Sequence, residues 1–111
     1  MDRRTLDDLE VRRLLIRTAG GDAAAFERLY RLSMPLLLAV AARIVGRREV
    51  AQEVVHDAFV RVWRSASSFD PLAPHAVAWL VAIARNRALD VAGSAEGARV
   101  DPAGDAIDAI V

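Results

Sequence analysis

Between residues 51 and 66 all the apolar side chains but Val60 fall at Ala51, Val54, Val55, Ala58, Phe59, Val62, Trp63 and Ala66. This i, i+3, i+4, i+7 series has no miss, so it fits a helix of 3.6 residues per turn and not a strand, whose side chains alternate at every second residue. A helix over 48–66 with one apolar face needs other elements to bury that face, and the rest of the chain supplies them. One helix is predicted over 6–18, ended by Gly20 and Gly21. Asp22 is placed to cap a second, in which Phe26, Leu29, Tyr30, Leu37, Val40, Ala41 and Ile44 keep helical spacing as far as Gly46. Pro35 is expected to kink or divide it. After the break "SASSFDPLAPH", where Pro71 and Pro74 exclude regular helix, a fourth is predicted over 76–92 with Gly93 as its stop. The expected fold is all-α, a compact bundle of about four helices, with a flexible C-terminal tail.

Composition agrees. In 111 residues, 54% apolar side chains suffice for one core, and the abundance of Ala, Leu, Val and Arg favours helix. The chain has no cysteine, which excludes a disulfide framework, a thiolate metal site and a catalytic thiol. "MDRRTLDDLEVRR" is too charged for a signal peptide. The longest apolar runs, 34–42 and 76–84, are half of the ~18 residues a membrane span requires. A soluble, cytoplasmic protein with no membrane contact is expected. Net charge is zero, which argues against indiscriminate polyanion binding. The charge is unevenly placed: 61–92 holds Arg61, Arg64, Arg85 and Arg87 against Asp70 and Asp90, whereas 93–111 holds Glu96, Asp101, Asp105 and Asp108 against Arg99. The last segment reads as an acidic linker or tail.

In the fourth helix, Val77, Leu80, Ala84, Ala88 and Val91 form a core stripe. At 100° per residue Trp79, Ile83, Asn86 and Asp90 fall opposite it, flanked by Arg85 and Arg87. Cations near a helix C-terminus interact favourably with its dipole, by about 0.3–1 kcal/mol each. That leaves Trp79 and Ile83 on a polar face unexplained. Flat apolar groups, an amide and guanidinium groups on one surface are what an unstacked base and its phosphates require.

Four ordered pieces, "GDAAAFERLY" at 21–30, "AQEVVHDAFVRVW" at 51–63, "FDP" at 69–71 and "AWLVAIARNRALD" at 78–90, resemble region 2 of bacterial RNA polymerase sigma factors of the extracytoplasmic-function (ECF) group. The resemblance covers about residues 8–92, so residues 1–92 are expected to form the region 2-like domain and 93–111 the tail. It implies a helical domain that docks on the clamp helices of the polymerase β′ subunit and captures the non-template single strand of the promoter −10 element as the duplex opens. It assigns docking to Glu49, Gln52, Glu53, His56 and Asp57, and −10 recognition to Ser67, Ser68, Phe69, Asp70, Trp79, Arg85, Asn86 and Arg87. An anti-sigma factor is a further implied partner. The same features also admit plainer readings: a solvated helix face whose charges suit the helix dipole, and a connecting loop.

Two departures from the family pattern stand out. His56 replaces a usual Gln and Glu53 a frequent Asp, and the Arg cluster that typically follows Asp90 is replaced by "VAGSAEGARVDPAGD". Without that cluster, phosphate contacts are fewer. The chain stops before the helix-turn-helix that reads the −35 element, as a fragment or an atypical member would. An enzyme is not expected. Glu53-x-x-His56 has the spacing of a di-iron ligand pair, but the only other histidine is His75, beside Pro74. No glycine-rich phosphate loop is present, and Ser67 and Ser68 have no nearby base. No metal and no cofactor is expected. The alternative function is a helical interaction module that binds only protein.

Overall fold

The structure, a computed structural model, describes residues 6–94. Among them are four α-helices, α1 (Asp8–Ala19), α2 (Ala23–Val45), α3 (Arg48–Ser65) and α4 (Ala76–Ala92), with a 3-10 turn at Ala66–Ser68 and no strand. The all-α bundle predicted from periodicity is what forms. The acidic stretch from 95 to 111, and residues 1–5, lie outside the described residues.

Local chemistry sets the helix ends. Asp22 accepts a hydrogen bond from the Ala25 amide at 3.1 Å and so caps α2. Gly46 ends α2 in the left-handed region at φ 76°, where a side chain would be strained, and its amide donates to the Ala42 carbonyl at 2.9 Å. α1 begins at Asp8 rather than residue 6, because Asp7 is its cap and accepts from the Leu9 amide at 3.0 Å. α3 ends at Ser65, and Ala66 belongs to the 3-10 turn.

Pro35 does not divide α2, which runs through it. Proline removes the N–H that would bond the Arg31 carbonyl. Pro35 and Arg31 are both exposed, so water can meet that carbonyl, while buried Leu29, Ser33, Leu37 and Ala41 hold the helix to the core on its other side.

Leu15, Leu29, Leu37, Leu80, Val11, Val54 and Val62 are the largest fully buried apolar side chains, drawn from all four helices. Burial of each Leu or Val contributes about 1.5–3 kcal/mol. Ala58 of α3 and Ala84 and Ala88 of α4 are buried as well, and their small size lets the helices approach closely. Phe26, Tyr30, Phe59 and Trp63 form an aromatic cluster between α2 and α3, in which Phe26 meets Phe59 and Trp63 edge-on and the tilted rings of Tyr30 and Phe59 have centroids 4.6 Å apart.

α4 packs against α1, α2 and α3 alike. Its buried arc is therefore wider than one stripe. Trp79 and Ile83, expected on a solvent face, are half-buried against the core, while Asn86 and Asp90 on the same side are exposed. A helix with three neighbours is apolar over more of its circumference than a helix lying on a surface.

Candidate functional site

The outward face of α3 carries Glu49, Gln52, Glu53, His56 and Asp57, all exposed. Their spacing brings the five side chains together around a shallow depression of about 480 Å³. Next to it, α3 and α4 enclose a groove of about 660 Å³ whose walls include Arg61 and Arg64 from α3, and Ile83, Asn86, Arg87 and Asp90 from α4. His56 and Asp57 line both concavities. The Arg87 guanidinium crosses the groove to Asp57, with Nε donating to Oδ2 at 3.1 Å and Nη2 in ion-pair contact with the same oxygen at 3.0 Å. Asn86 and Arg85 are exposed and make no hydrogen bond or ion pair within the described residues.

The connection from α3 to α4 is a built loop. Ser68 Oγ donates to the Ser65 carbonyl at 2.7 Å, leaving Ser67 and Ser68 exposed on the 3-10 turn. Phe69 is only 4% exposed, and its ring meets Trp79 edge-on with centroids 5.5 Å apart. Phe69, to which the resemblance gives a −10 recognition role, is turned inward: it anchors the loop to α4, and Trp79 is the aromatic it packs on. Asp70 is exposed, and its Oδ1 accepts from the Leu72 amide at 2.9 Å, closing a tight turn. Leu72 then stands 89% exposed at the tip.

From α1, Arg12 donates to the carbonyls of both Pro71 and Ala73, the first at 2.7 Å. Its Nη2 also meets Asp8 Oδ2 at 3.1 Å, and Asp8 Oδ1 accepts from the Val77 amide at 2.8 Å. His75, the residue preceding α4, makes no side-chain cap bond, so Asp8 supplies the cap from 69 positions away. The Val77 amide does most to hold the Asp8 carboxyl below its ordinary range. Burial opposes it, and the Ala76 amide and Arg12 add to it.

Residues 29–96 match the family model of sigma-70 region 2. The chain is 36% identical over 91 residues to the ECF RNA polymerase sigma factor SigK of Mycobacterium sp. (strain KMS), covering 82% of this chain and 46% of that protein. It is 34% identical over 104 residues to SigK of Mycobacterium tuberculosis (strain ATCC 25618 / H37Rv), covering 85% of this chain and 56% of that one. The chain belongs to the sigma-70 region 2 family, in its ECF group. It spans about half the length of the curated relatives it matches. No solved structure matches this region 2 domain.

Of the residues singled out in this region 2 domain, the structure brings Asn86, Arg87, His56 and Asp57 to one groove. Ser67, Ser68 and Asp70 lie on the loop and do not line it, nor do Arg85 and Trp79. Sequence reasoning missed Asp8 and Arg12, whose partners are distant in the chain. The only local signal was an acid and a base four apart in a helical stretch, which is common on any solvated helix. Among the described residues no three His, Cys, Asp or Glu side chains come together as a metal site. No helix among them is long and apolar enough to cross a membrane.

Proposed function

We propose that this chain is the domain of a cytoplasmic sigma factor that docks on core RNA polymerase and captures the non-template strand of the −10 element during promoter opening. Docking uses Glu49, Gln52, Glu53, His56 and Asp57 against the β′ clamp helices. Strand capture uses Asn86 and Arg87 in the groove, with Arg85, Ser67, Ser68 and Asp70 on the adjoining exposed surface. Trp79 and Phe69 act beneath that surface as its support. The role is nonenzymatic.

The observation that carries this reading is the continuity of the two concavities through His56 and Asp57. A strand held in the groove would lie beside the docked polymerase, so opening and docking share one side of the domain. Three arginines at the groove, Arg61, Arg64 and Arg87, face two acids, Asp57 and Asp90, a balance that favours a polyanion without strong affinity for any duplex.

The test is open-complex formation by core polymerase carrying this domain within its full sigma factor, on promoters with single-base −10 changes. Asn86→Ala should lower opening in a sequence-dependent way, because an amide lost from a base edge removes about 1–3 kcal/mol of discrimination. Uniform opening across the panel by the Asn86→Ala protein, equal to the unmodified one, would refute the assignment.

A second reading is favoured by exposed Tyr30, Val60 and Trp63, which give α2 and α3 an apolar outer surface. In that reading the domain binds only protein, an anti-sigma factor being one such partner. Polymerase association without any strand capture would select it.

A further inference from the structure

We infer that Asp8 and Arg12 of α1 are positioning residues for strand capture, holding the α3–α4 loop in the geometry that reads the −10 strand. The inference rests on the proposed strand-reading function and adds residues from outside the matched span 29–96.

Three fastenings hold the loop. Phe69 is buried against Trp79, so the loop's first half is fixed to α4. Arg12 holds the carbonyls of Pro71 and Ala73, which flank Leu72, so the second half is fixed to α1. Asp8 fixes the first turn of α4 through the Val77 amide and orients Arg12 through their ion pair. The Arg12 side chain is only 19% exposed, so water competes poorly for its donors. A guanidinium suits this task because Nη1 donates to both carbonyls while Nη2, fixed in the same rigid plane, reaches Asp8.

The segment so fastened has little reason to be rigid on its own account. It contains two prolines and two serines, and Leu72 at its tip packs against nothing. A loop ordered before the strand arrives avoids the entropic cost of ordering on binding, and that gain appears as affinity and base preference. Neither Asp8 nor Arg12 touches the proposed strand path, so they act through the loop.

The experiment uses core polymerase carrying the full sigma factor and a pool of single-stranded DNA with a randomised central stretch. Strands retained by the unmodified protein are sequenced, and the affinity for the best of them is measured. Arg12→Ala should bind core polymerase as the unmodified protein does, yet lose about tenfold in strand affinity and show flattened base preference. Arg12→Lys, which keeps the charge but not the fork, should recover part of both. If folded Arg12→Ala protein selects the same strands with the same affinity, Arg12 is structural and the inference is overturned. If Arg12→Ala does not fold, Arg12→Lys decides: unchanged preference overturns the inference, and flattened preference supports it. If the unmodified protein selects no strand, the strand-reading function itself is refuted and this inference falls with it. Preference seen in the unmodified protein but unaltered by either substitution refutes the inference alone.

Discussion

Arg87 on α4 and Asp57 on α3 form an ion pair at 3.0 Å across the groove, joining a residue assigned to the DNA strand with one assigned to the polymerase. Both side chains are nearly half exposed, so solvent screens the pair and its contribution to stability is at most about 1 kcal/mol. Arg87→Ala should therefore shift a urea midpoint only slightly. Its effect on promoters should be nearly uniform across −10 variants, because phosphate contacts carry no base information. Strong sequence dependence in open-complex assays would show that Arg87 reads a base.

Reversal of the α3 face is a separate matter. Glu49→Arg with Glu53→Arg should abolish association with the β′ clamp helices in a pull-down while leaving the helical circular dichroism and thermal midpoint close to those of the unmodified chain. Both carboxylates are exposed and unpaired within the described residues, so stability should change by no more than about 0.5 kcal/mol. Retained polymerase binding would leave that face as a solvated surface only.

Phe69→Ala should act on stability first. Truncating a buried phenylalanine costs about 3–5 kcal/mol through lost transfer energy and the cavity left behind. The loss should appear as a lower urea midpoint, with Phe69→Leu substantially milder. A Phe69→Ala protein as stable as its parent, but altered in base preference, would return Phe69 to the strand-contacting set.

Acid should loosen the α1–α4 junction. The carboxyls of Asp8 and Asp22 are both held below the ordinary value of 3.8, Asp8 chiefly by the Val77 amide and Asp22 chiefly by the Ala25 amide. A folded-state value below the unfolded one means that the unfolded chain binds protons first as pH falls. The stabilisation is thus complete at neutral pH and declines from about pH 5 downward, through 3.8 and into the lower folded-state values. Thermal midpoints measured from neutral to acid should fall in that window, and Asp8→Asn should flatten part of the fall. An equally steep fall in the Asp8→Asn protein would assign the acid lability elsewhere.

Much of the helical frame was legible because its signals are local. Gly46, Asp22, Gly93 and the two prolines before α4 act on neighbouring residues, and the spacing from Ala51 to Ala66 reports the buried face of α3 directly. The burial of Phe69 was not legible because serines and prolines around it suggest an exposed loop, while a single aromatic can be drawn inward by Trp79, ten positions on. Trp79 itself was misplaced because a helical wheel assumes one buried face, and α4 has three neighbours. The polar face of α3 was visible as the residues that its apolar series leaves over, and only the family resemblance gave that face a docking role. What linear spacing could not express is that His56 and Asp57 serve two concavities at once.

The cap that Asp8 gives to Val77 has a consequence for where this domain can be cut. The family match starts at residue 29, beyond the end of α1. A fragment trimmed to 29–96 would lose buried Val11, Leu14 and Leu15 along with the carboxylate that starts α4 and the guanidinium that ties down its approach. The span of the family match and the physical unit that closes a core thus have different borders. α1 is the keystone of the second and absent from the first, so an excised 29–96 peptide should fray at residues 76–79 before anywhere else in α4.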